Sequence, residues 1–402
     1  MKPLRIGLAI QYNLGYCRRV LRGITQFAAA RPGWRFISVS VEPRAVNLLR
    51  RTPVEGLIAQ AYTHAVADSL AALKRPVVNV SRALADLPFP RVGVQEEQVG
   101  RLVAEHLLQR GFRHLAFVGS SAFAYSRQRE AGFREVLLAA GHALVCYETP
   151  ADSLLVTRRR PWSADPRLRR WLLDLPKPVA IFGCNDQCGV QLAEACREAG
   201  LRVPEDVALV GVDNDDLLCE LARPALSSVG IPAEQIGYEA AALLDRLLQG
   251  AAPPAEPVLL PPLGLIVRQS SDVVAIEDRD VAAALCFIRD HAHVPLAVPD
   301  VLRAVPVSRR ALERRARQAI GRTLGDEIRR VHLERAKNLL SGTDMPMSDV
   351  AQHSGFSSAK HFCTVFHQEL GCTPTLYRRR YRGRSPQPAG SRAHADSGAQ
   401  PL

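Results

Sequence analysis

Short apolar runs alternate with amphipathic stretches through most of the chain. The first apolar run is Ile6–Ile10, and the first amphipathic stretch is Arg18–Ala30, in which Val20, Ile24 and Phe27 share one side. A short buried run is typical of a strand, whereas apolar residues three or four apart are typical of a helix. The pattern therefore predicts alternating strands and helices, as in parallel sheets with helices on both faces.

The same alternation continues to Arg268. Further strands are predicted at Gly56–Ala59, Val77–Val80, His114–Val118, Val179–Phe182, Val207–Val212 and Gly264–Arg268, and further helices at Glu97–Arg110, Arg129–Ala140, Cys188–Ala199 and Ile236–Leu248. So many βαβ units favour two doubly wound lobes with a cleft between them over a single sheet.

A different pattern follows, in which one arrangement of residues occurs twice, about 50 residues apart. The first copy is Asp300-Val301-Leu302 … Val307-Ser308 … Leu312 … Ala316 … Gly321, and the second is Asp349-Val350-Ala351 … Phe356-Ser357-Ser358 … Phe362 … Phe366 … Gly371. Each copy predicts a short helix, a tight turn and a longer helix opened by a serine, which is a helix-turn-helix. Joined by a helix over Asp326–Ser341, the two units would reach successive major-groove segments of DNA, roughly 34 Å apart.

These patterns divide the chain into four parts. A two-lobed α/β domain is expected over residues 1–270, a linker over 271–280, an all-α domain over 281–382 and a tail over 383–402. The tail is rich in Gly, Ser, Pro and Ala, so it is expected to be disordered.

The net charge and the cysteine content indicate which partners the protein binds and in which cellular compartment it is found. The 402 residues carry a net charge of +12, and the part from residue 276 onward holds 20 Lys and Arg against 13 Asp and Glu. This excess of basic residues suits binding to a polyanion such as double-stranded DNA, although a solvated helix face would show a similar basic run.

The nine cysteines form no C-x-x-C pair, which favours buried thiols in a reducing compartment over disulfides or a metal site. No signal peptide and no membrane-spanning apolar stretch are visible, so a cytoplasmic protein without membrane contact, metal or cofactor is expected.

The first of the two longer helices predicts a basic DNA-reading surface. Ser308 is a natural N-cap, and Leu312, Ala316 and Ile320 recur every four residues and are expected to face the core. The side chains expected to project outward toward DNA are Arg309, Arg310, Glu313 and Arg314. Arginine can pair bidentately with guanine or position the protein on a phosphate.

The second longer helix predicts a smaller and more neutral surface. Phe362, Phe366 and Leu370 are expected to face inward. The candidate DNA contacts are Ser358 at the helix N-terminus, which suits a phosphate, followed by Ala359, Lys360, Cys363 and Thr364. The first helix would then supply more electrostatic affinity, and the second would read bases partly through apolar contact.

The all-α part resembles the AraC-type DNA-binding domain. The resemblance rests on Leu312-Glu313-Arg314-Arg315, Leu333-Glu334-Arg335-Ala336-Lys337-Asn338-Leu339-Leu340, Gly355-Phe356-Ser357-Ser358, Thr373-Pro374 and Tyr377-Arg378 at their spacings. Two positions depart from it: Pro306 stands where such domains place a glycine in the first turn, and Ala316 stands where they carry an aromatic residue. Because proline cannot adopt a positive φ, the first turn must be built differently.

The α/β part resembles the periplasmic-binding-protein-like ligand domain of LacI/GalR-type regulators, without their N-terminal DNA-binding headpiece. The motifs are Val54-Glu55-Gly56-Leu57-Ile58, Arg129-Glu130-Ala131-Gly132-Phe133, Ala180-Ile181-Phe182 … Asn185-Asp186, Val203-Pro204-Glu205-Asp206-Val207, Gly211-Val212-Asp213-Asn214 and Ala225-Leu226-Ser227-Ser228-Val229. The resemblance implies ligand contacts at Arg129, Asn185 and Asp213.

The positions of these residues suit a small polyol. Asn185 and Asp213 follow predicted strands, where ligands of open α/β sheets bind, and Arg129 would offer a fork of donors at the start of a helix. Tyr12, Asn13 and Tyr16 follow the first strand and are further ligand candidates. Turn formation and helix capping are the alternative roles for Asp213 and Asn185, and a structural role is the alternative for Tyr12, Asn13 and Tyr16.

Together the two resemblances imply a sugar-responsive transcription regulator of carbohydrate catabolism, acting as an activator. D-Xylose is the effector that they imply, with another pentose or a hexose as the alternative, and a homodimer and RNA polymerase are the expected partners beside DNA. Two other classes share parts of the pattern. A sugar-binding transport receptor has no use for two helix-turn-helix units, and a sugar-converting enzyme would need an acid/base pair, for which Asp186 with Asp213 is the only candidate.

Overall fold

The computed structural model describes residues 3–31, 33–150, 162, 165–272 and 278–381. The chain divides into two compact units, Met1–Ala275 and Ile276–Leu402.

The first lobe of the first unit is built on a four-stranded parallel sheet with strand order β2-β1-β3-β4. Its elements are β1 (Leu4–Ala9), α1 (Gly15–Ala29), β2 (Trp34–Val39), α2 (Pro43–Leu48), β3 (Gly56–Ala59), α3 (His64–Ala71) and β4 (Val77–Asn79). Strand β3 is buried along its whole length, as expected for a parallel strand with helices on both faces.

The second lobe is built on a six-stranded sheet with strand order β12-β10-β9-β8-β6-β7. Its elements are α4 (Glu96–Gln109), β6 (His114–Gly119), α5 (Ala124–Ala139), β7 (Leu144–Glu148), α6 (Pro166–Asp174), β8 (Val179–Gly183), α7 (Asp186–Glu198), β9 (Val207–Asp213), α8 (Asp216–Leu221), β10 (Ser227–Gly230) and β12 (Gly264–Ile266). All pairings are parallel except that of β12 with β10.

The chain passes between the lobes more than once. After β10 it returns to the first lobe as α9 (Ala233–Leu248), which packs on α1. This packing is close, because a Cβ added to Gly237 would lie 1.9 Å from the carbonyl oxygen of Val20. At the crossing itself β5 (Val92–Val94) pairs in parallel with β11 (Val258–Leu260), so two adjacent strands connect the lobes.

The second unit is helical over its described residues. Its elements are α10 (Arg279–Asp290), α11 (Val298–Ala304), α12 (Arg309–Ile320), α13 (Leu324–Gly342), α14 (Met347–His353), α15 (Ala359–Leu370) and α16 (Pro374–Tyr381). Helices α11 and α12 form one helix-turn-helix and α14 and α15 form the other, with α13 between them. Ser308 and Ser358 cap the two longer helices by accepting hydrogen bonds from Ala311 N (3.4 Å) and His361 N (3.2 Å).

The predicted fold class is confirmed: a two-lobed α/β unit of mostly parallel sheets precedes a helical unit with two helix-turn-helix motifs. One helix differs, since α5 begins at Ala124 and Arg129 therefore lies inside it rather than at its start. The predicted linker over 271–280 differs at both ends. Ser271 is fully buried and belongs to the first unit, and α10 already begins at Arg279. Residues 273–277 and the predicted tail lie outside the described residues.

Candidate functional site

A small cavity of about 130 Å³ lies between the two lobes of the first unit. Residues that follow the strands of both lobes line it: Gln11, Leu14, Gly15, Tyr16, Gln60, Tyr62, Ser81, Arg82, Ala83, Phe123, Tyr125, Asn185, Asp186, Gln187, Asp213, Asp215 and Leu218. Most of them stand at the carboxyl ends of parallel strands, where ligands bind in open α/β sheets. We call this space the inner cavity.

Four charged side chains form a buried network beside the inner cavity. Arg129 is completely buried, and its Nε lies 2.7 Å from Glu96, whose side chain is 3% exposed. Arg82 lies 3.0 Å from the same carboxylate through Nη1 and 2.9 Å from Asp213 through Nη2. Two cations thus face two carboxylates, and this neutral balance is what allows four charges to be buried together.

Not every polar atom of the network is satisfied. Nη2 of Arg129 is buried and has no hydrogen-bond partner among the described residues, and it lies 3.8 Å from Oδ1 of Asp213. The ion pair with Arg82 uses that same oxygen. The second oxygen of Asp213 accepts no hydrogen bond from the described residues, so it remains available to a hydroxyl group in the cavity.

Two tyrosines enclose the guanidinium of Arg82. Its central carbon lies 4.6 Å from the ring centre of Tyr16 and 5.6 Å from that of Tyr125. The hydroxyl of Tyr16 donates to the carbonyl of Val80 at 2.8 Å, and burial raises the pKa of this phenol above its ordinary value. Burial raises the pKa of Tyr125 as well. The two rings present flat apolar surfaces of the kind against which sugar rings pack.

Asp186 is the most perturbed carboxyl group of the site. Burial, followed by the neighbouring charge of Asp213, raises the pKa of Asp186 to about 7. The carboxyl accepts hydrogen bonds from the backbone N of Asp215 at 2.8 Å and from the hydroxyl of Ser228. These contacts join α7, α8 and β10, so the side chain holds the second lobe together at the edge of the cavity.

The backbone at the end of β9 is unusual. Asp213 has φ +112° and Asn214 has φ +48°, both in the region that residues with a side chain seldom adopt. Surrounding contacts keep them there: Arg19 of the first lobe donates to the carbonyl of Asp213, and Arg268 donates to the side chain of Asn214 at 2.7 Å. Such conformations concentrate at ligand sites, where the surrounding structure fixes them.

The predicted sugar contacts separate into two groups. Tyr16, Asn185 and Asp213 line the inner cavity, and Arg129 supports it from behind. Asn185 also caps α7 by accepting from Cys188 N at 2.8 Å. The structure does not place Tyr12 and Asn13 at the cavity, because the half-exposed Tyr12 bonds to Ser38 and the carbonyl of Asn13 accepts from Arg18.

Sequence reasoning missed Arg82, Glu96 and Tyr125. Arg82 stands just after β4, so the rule that ligands bind beyond strand ends would have selected it. Glu96 and Tyr125 lie at the beginnings of helices, and nothing in the local sequence distinguishes them from ordinary first-turn residues.

The predicted DNA contacts on α12 are partly free and partly engaged. Arg309, Arg310 and Arg314 are exposed. Glu313 is half-buried, and its carboxylate accepts from the backbone N of Leu324 at 3.3 Å, at the start of the next helix. Glu313 therefore links α12 to the start of α13, a structural role that the sequence pattern did not indicate.

On α15 the candidates form a small exposed surface. Ser358, Lys360, Cys363 and Thr364 are exposed, and Ala359 is half-buried. The hydroxyl of Thr364 donates to the carbonyl of Lys360 at 3.0 Å. The contrast between a basic first helix and a nearly neutral second helix therefore persists in the structure.

The two turns are built differently, as the proline predicts. In the first, Val307 N donates to the carbonyl of Val305 at 2.7 Å, which closes a three-residue turn around Pro306. In the second, Gly355 has φ +78°, which a glycine adopts without steric cost.

Within the described residues no helix is long and apolar enough to cross a membrane. The same part of the chain contains no group of three or more metal-binding side chains. A two-lobed domain with a polar cavity between its lobes, followed by two helix-turn-helix motifs, defines a transcription regulator controlled by a small ligand.

Comparisons with known proteins give the family. Residues 104–271 match the model of a periplasmic binding protein-like domain, and residues 301–380 match that of a helix-turn-helix domain. The xylose operon regulatory protein of Escherichia coli K12 is 31% identical over 94% of this chain and 97% of its own length. The chain belongs to the family of the xylose operon regulatory proteins, and it is a sugar-responsive, DNA-binding transcription regulator.

Solved structures agree with this assignment. A structure of the xylose-binding transcription activator xylR has a TM-score of 0.80 and 29% identity, covering 95% of this chain and 99% of that one. The transcriptional regulator CelR in complex with cellobiose has a TM-score of 0.55 and 26% identity over 67% of this chain and 86% of that one.

Proposed function

We propose that the chain is a cytoplasmic activator of carbohydrate-catabolism genes whose effector is D-xylose, bound in the inner cavity. The observation that carries the proposal is the cavity itself, where hydrogen-bonding side chains from both lobes surround about 130 Å³ beside a neutral ion network. The relatives with matching length carry xylose in their names, which supports a pentose over a hexose as the effector.

Each proposed contact has a chemical role. The available oxygen of Asp213 accepts from one sugar hydroxyl, and the amides of Asn185 and Gln60 exchange hydrogen bonds with others. The guanidinium of Arg82 donates to a hydroxyl oxygen, and Arg129 stabilises the charge of Asp213 from behind. The rings of Tyr16 and Tyr125 cover the apolar face of the sugar.

Signal transmission follows from the position of the cavity between the lobes. Gly15 of the first lobe is so close to Asp215 of the second that an added Cβ would fall 1.9 Å from its carboxylate. A sugar that touches both lobes favours this close approach over an open arrangement, because only a difference in affinity between two states shifts their populations. The shift changes the spacing of the DNA-binding units in a homodimer, and the DNA-bound dimer contacts RNA polymerase.

On DNA, α12 and α15 are the reading helices. Arg309, Arg310 and Arg314 bind phosphates or guanines, while Lys360 and Thr364 contact DNA through the second helix.

The carboxyl pair Asp186 and Asp213 does not favour an enzyme. Asp186 is committed to Ser228 and Asp215 within the second lobe, and Asp213 is paired with Arg82. A general acid or base needs a free proton-transferring oxygen in reach of the substrate, so we propose binding without turnover.

The test is thermal melting and calorimetric titration of the full chain with pentoses and hexoses. A sugar at 100 times its Kd stabilises the folded state by about 2.7 kcal/mol. Asp213→Ala is expected to lose this stabilisation and the sugar-dependent change in DNA binding, whereas Asp216→Ala, at an exposed position three residues further along, is expected to keep both. A rise in Tm with a hexose alone would identify a hexose rather than D-xylose as the effector. No rise in Tm with any sugar would refute the proposed effector class.

A further inference from the structure

Arg82 separates the inner cavity from a second, larger one. The second cavity has a volume of about 580 Å³, and its lining includes Arg91, Glu97, Arg101 and Gln128. We call it the outer cavity. Arg82 is in the lining of both cavities, so its side chain is part of the wall between them.

Four contacts hold this wall in place. Nη1 of Arg82 is bonded to Glu96, which lines the outer cavity, and Nη2 is bonded to Asp213, which lines the inner one. Tyr16 and Tyr125 flank the guanidinium plane. The side chain is only 11% exposed. The guanidinium of Arg82 is planar, hydrogen-bonded through both of its terminal nitrogens and packed against two rings. If it rotated away, the two carboxylates would lose one of their cations, which is unfavourable for buried charges.

The two volumes suit ligands of different size. Pockets for drug-sized ligands measure about 300–1,000 Å³. The inner cavity falls well below this range, as expected for a single sugar ring, whereas the outer cavity already falls within it. Joining the two would therefore give the sensor room for a larger ligand. The complex of CelR with cellobiose shows that a domain of this fold binds a disaccharide in that protein.

We propose that Arg82 determines ligand size, limiting the sensor to monosaccharides by closing the inner cavity against the outer one. This inference rests on the proposed binding of a sugar in the inner cavity. It assigns Arg82 a task separate from hydrogen bonding to that sugar: removal of the guanidinium joins the two cavities and admits a second, 1,4-linked ring.

The experiment compares D-xylose with β-1,4-xylobiose by calorimetric titration of the full chain. Wild type is expected to bind xylose and to bind xylobiose at least about tenfold more weakly, a difference of about 1.4 kcal/mol. In Arg82→Ala the affinity for xylose falls, since a donor is lost, but the preference for xylose over xylobiose disappears or reverses. Arg129 still faces both Glu96 and Asp213, so the variant retains a cation in the network.

The matched control is Arg91→Ala, which removes an arginine that lines only the outer cavity. It is expected to keep the wild-type preference for xylose. If Arg82→Ala fails to fold, Arg82→Gln replaces it, because glutamine keeps hydrogen-bonding capacity while lacking the guanidinium.

The outcomes distinguish this inference from the proposed function. Wild type that binds xylose and xylobiose equally well overturns the role of Arg82 and leaves the sugar site standing. The same holds for Arg82 variants that bind xylose but still exclude xylobiose. Wild type that binds no monosaccharide overturns the proposed function and this inference together.

Discussion

Glu96 is the carboxylate on which the buried network depends most, and its neutralisation is a direct test of that network. In Glu96→Gln, Arg82 and Arg129 lose the partner that they share at 3.0 and 2.7 Å, and Asp213 alone remains to balance two buried cations. Removal of one partner from a buried ion pair costs about 3–5 kcal/mol. For a unit of this size each kcal/mol corresponds to roughly 2–4 °C in Tm, so we expect Tm to fall by roughly 6–20 °C.

The matched control is the next residue, Glu97→Gln. Both residues lie in the first turn of α4 and lose the same favourable interaction with the helix dipole, about 0.3–1 kcal/mol. Glu97, however, is 56% exposed and pairs with Arg101 only at 3.5 Å, and an exposed pair contributes about 0–1 kcal/mol. The assay is circular-dichroism melting of the full chain without sugar. Equal Tm values for the two variants would refute the claim that the network stabilises the sensor.

Three further predictions concern other parts of the chain. The pKa of Asp186 is raised to about 7 in the folded state and is about 4 in the unfolded chain. Wild type should therefore gain stability relative to Asp186→Asn as the pH falls from 7 to 4. Melting temperatures of the two proteins that change in parallel with pH would contradict this. Gly355→Ala should reduce stability and DNA binding more than Gly321→Ala. Both glycines have positive φ, but only at Gly355 would the added Cβ meet the ring of His332, at 2.4 Å. An equal fall in Tm for the two variants would show that this contact does not matter. Arg314→Ala should weaken binding to DNA selected by the wild-type chain by about 1–3 kcal/mol if the arginine reads a base, and an unchanged footprint and affinity would remove it from the contacts.

The periodicity of apolar residues was sufficient to predict the second unit. The repeated pattern ending in Gly321 and Gly371 predicted two helix-turn-helix motifs, and both glycines do end their helices in the left-handed conformation. Local signals suffice there because helix caps and helix faces depend on residues only a few positions apart. The same signals gave no indication that Glu313 accepts from Leu324 N, since that contact depends on how one helix packs at the start of the next.

The first loop shows that sequence order alone does not say which residues line the inner cavity. Tyr12, Asn13 and Tyr16 all follow β1, and their order along the chain does not say which side chain turns toward the cavity. Tyr16 does so because it lies on the buried face of α1. Tyr12 bonds instead to Ser38 on β2, and the position of that strand beside β1 is a property of the folded sheet.

By itself, then, the amino-acid sequence determined the class of protein: alternating buried strands and amphipathic helices specify the two-lobed unit, and the repeated capped helices specify the DNA-reading unit. The tertiary structure alone decided how the candidate sugar site is composed. Arg82 meets Glu96 14 residues away and Asp213 131 residues away, on elements that come together only because the chain crosses between the lobes. A buried charge is stable only where such distant partners converge, and no local pattern in the sequence records that convergence.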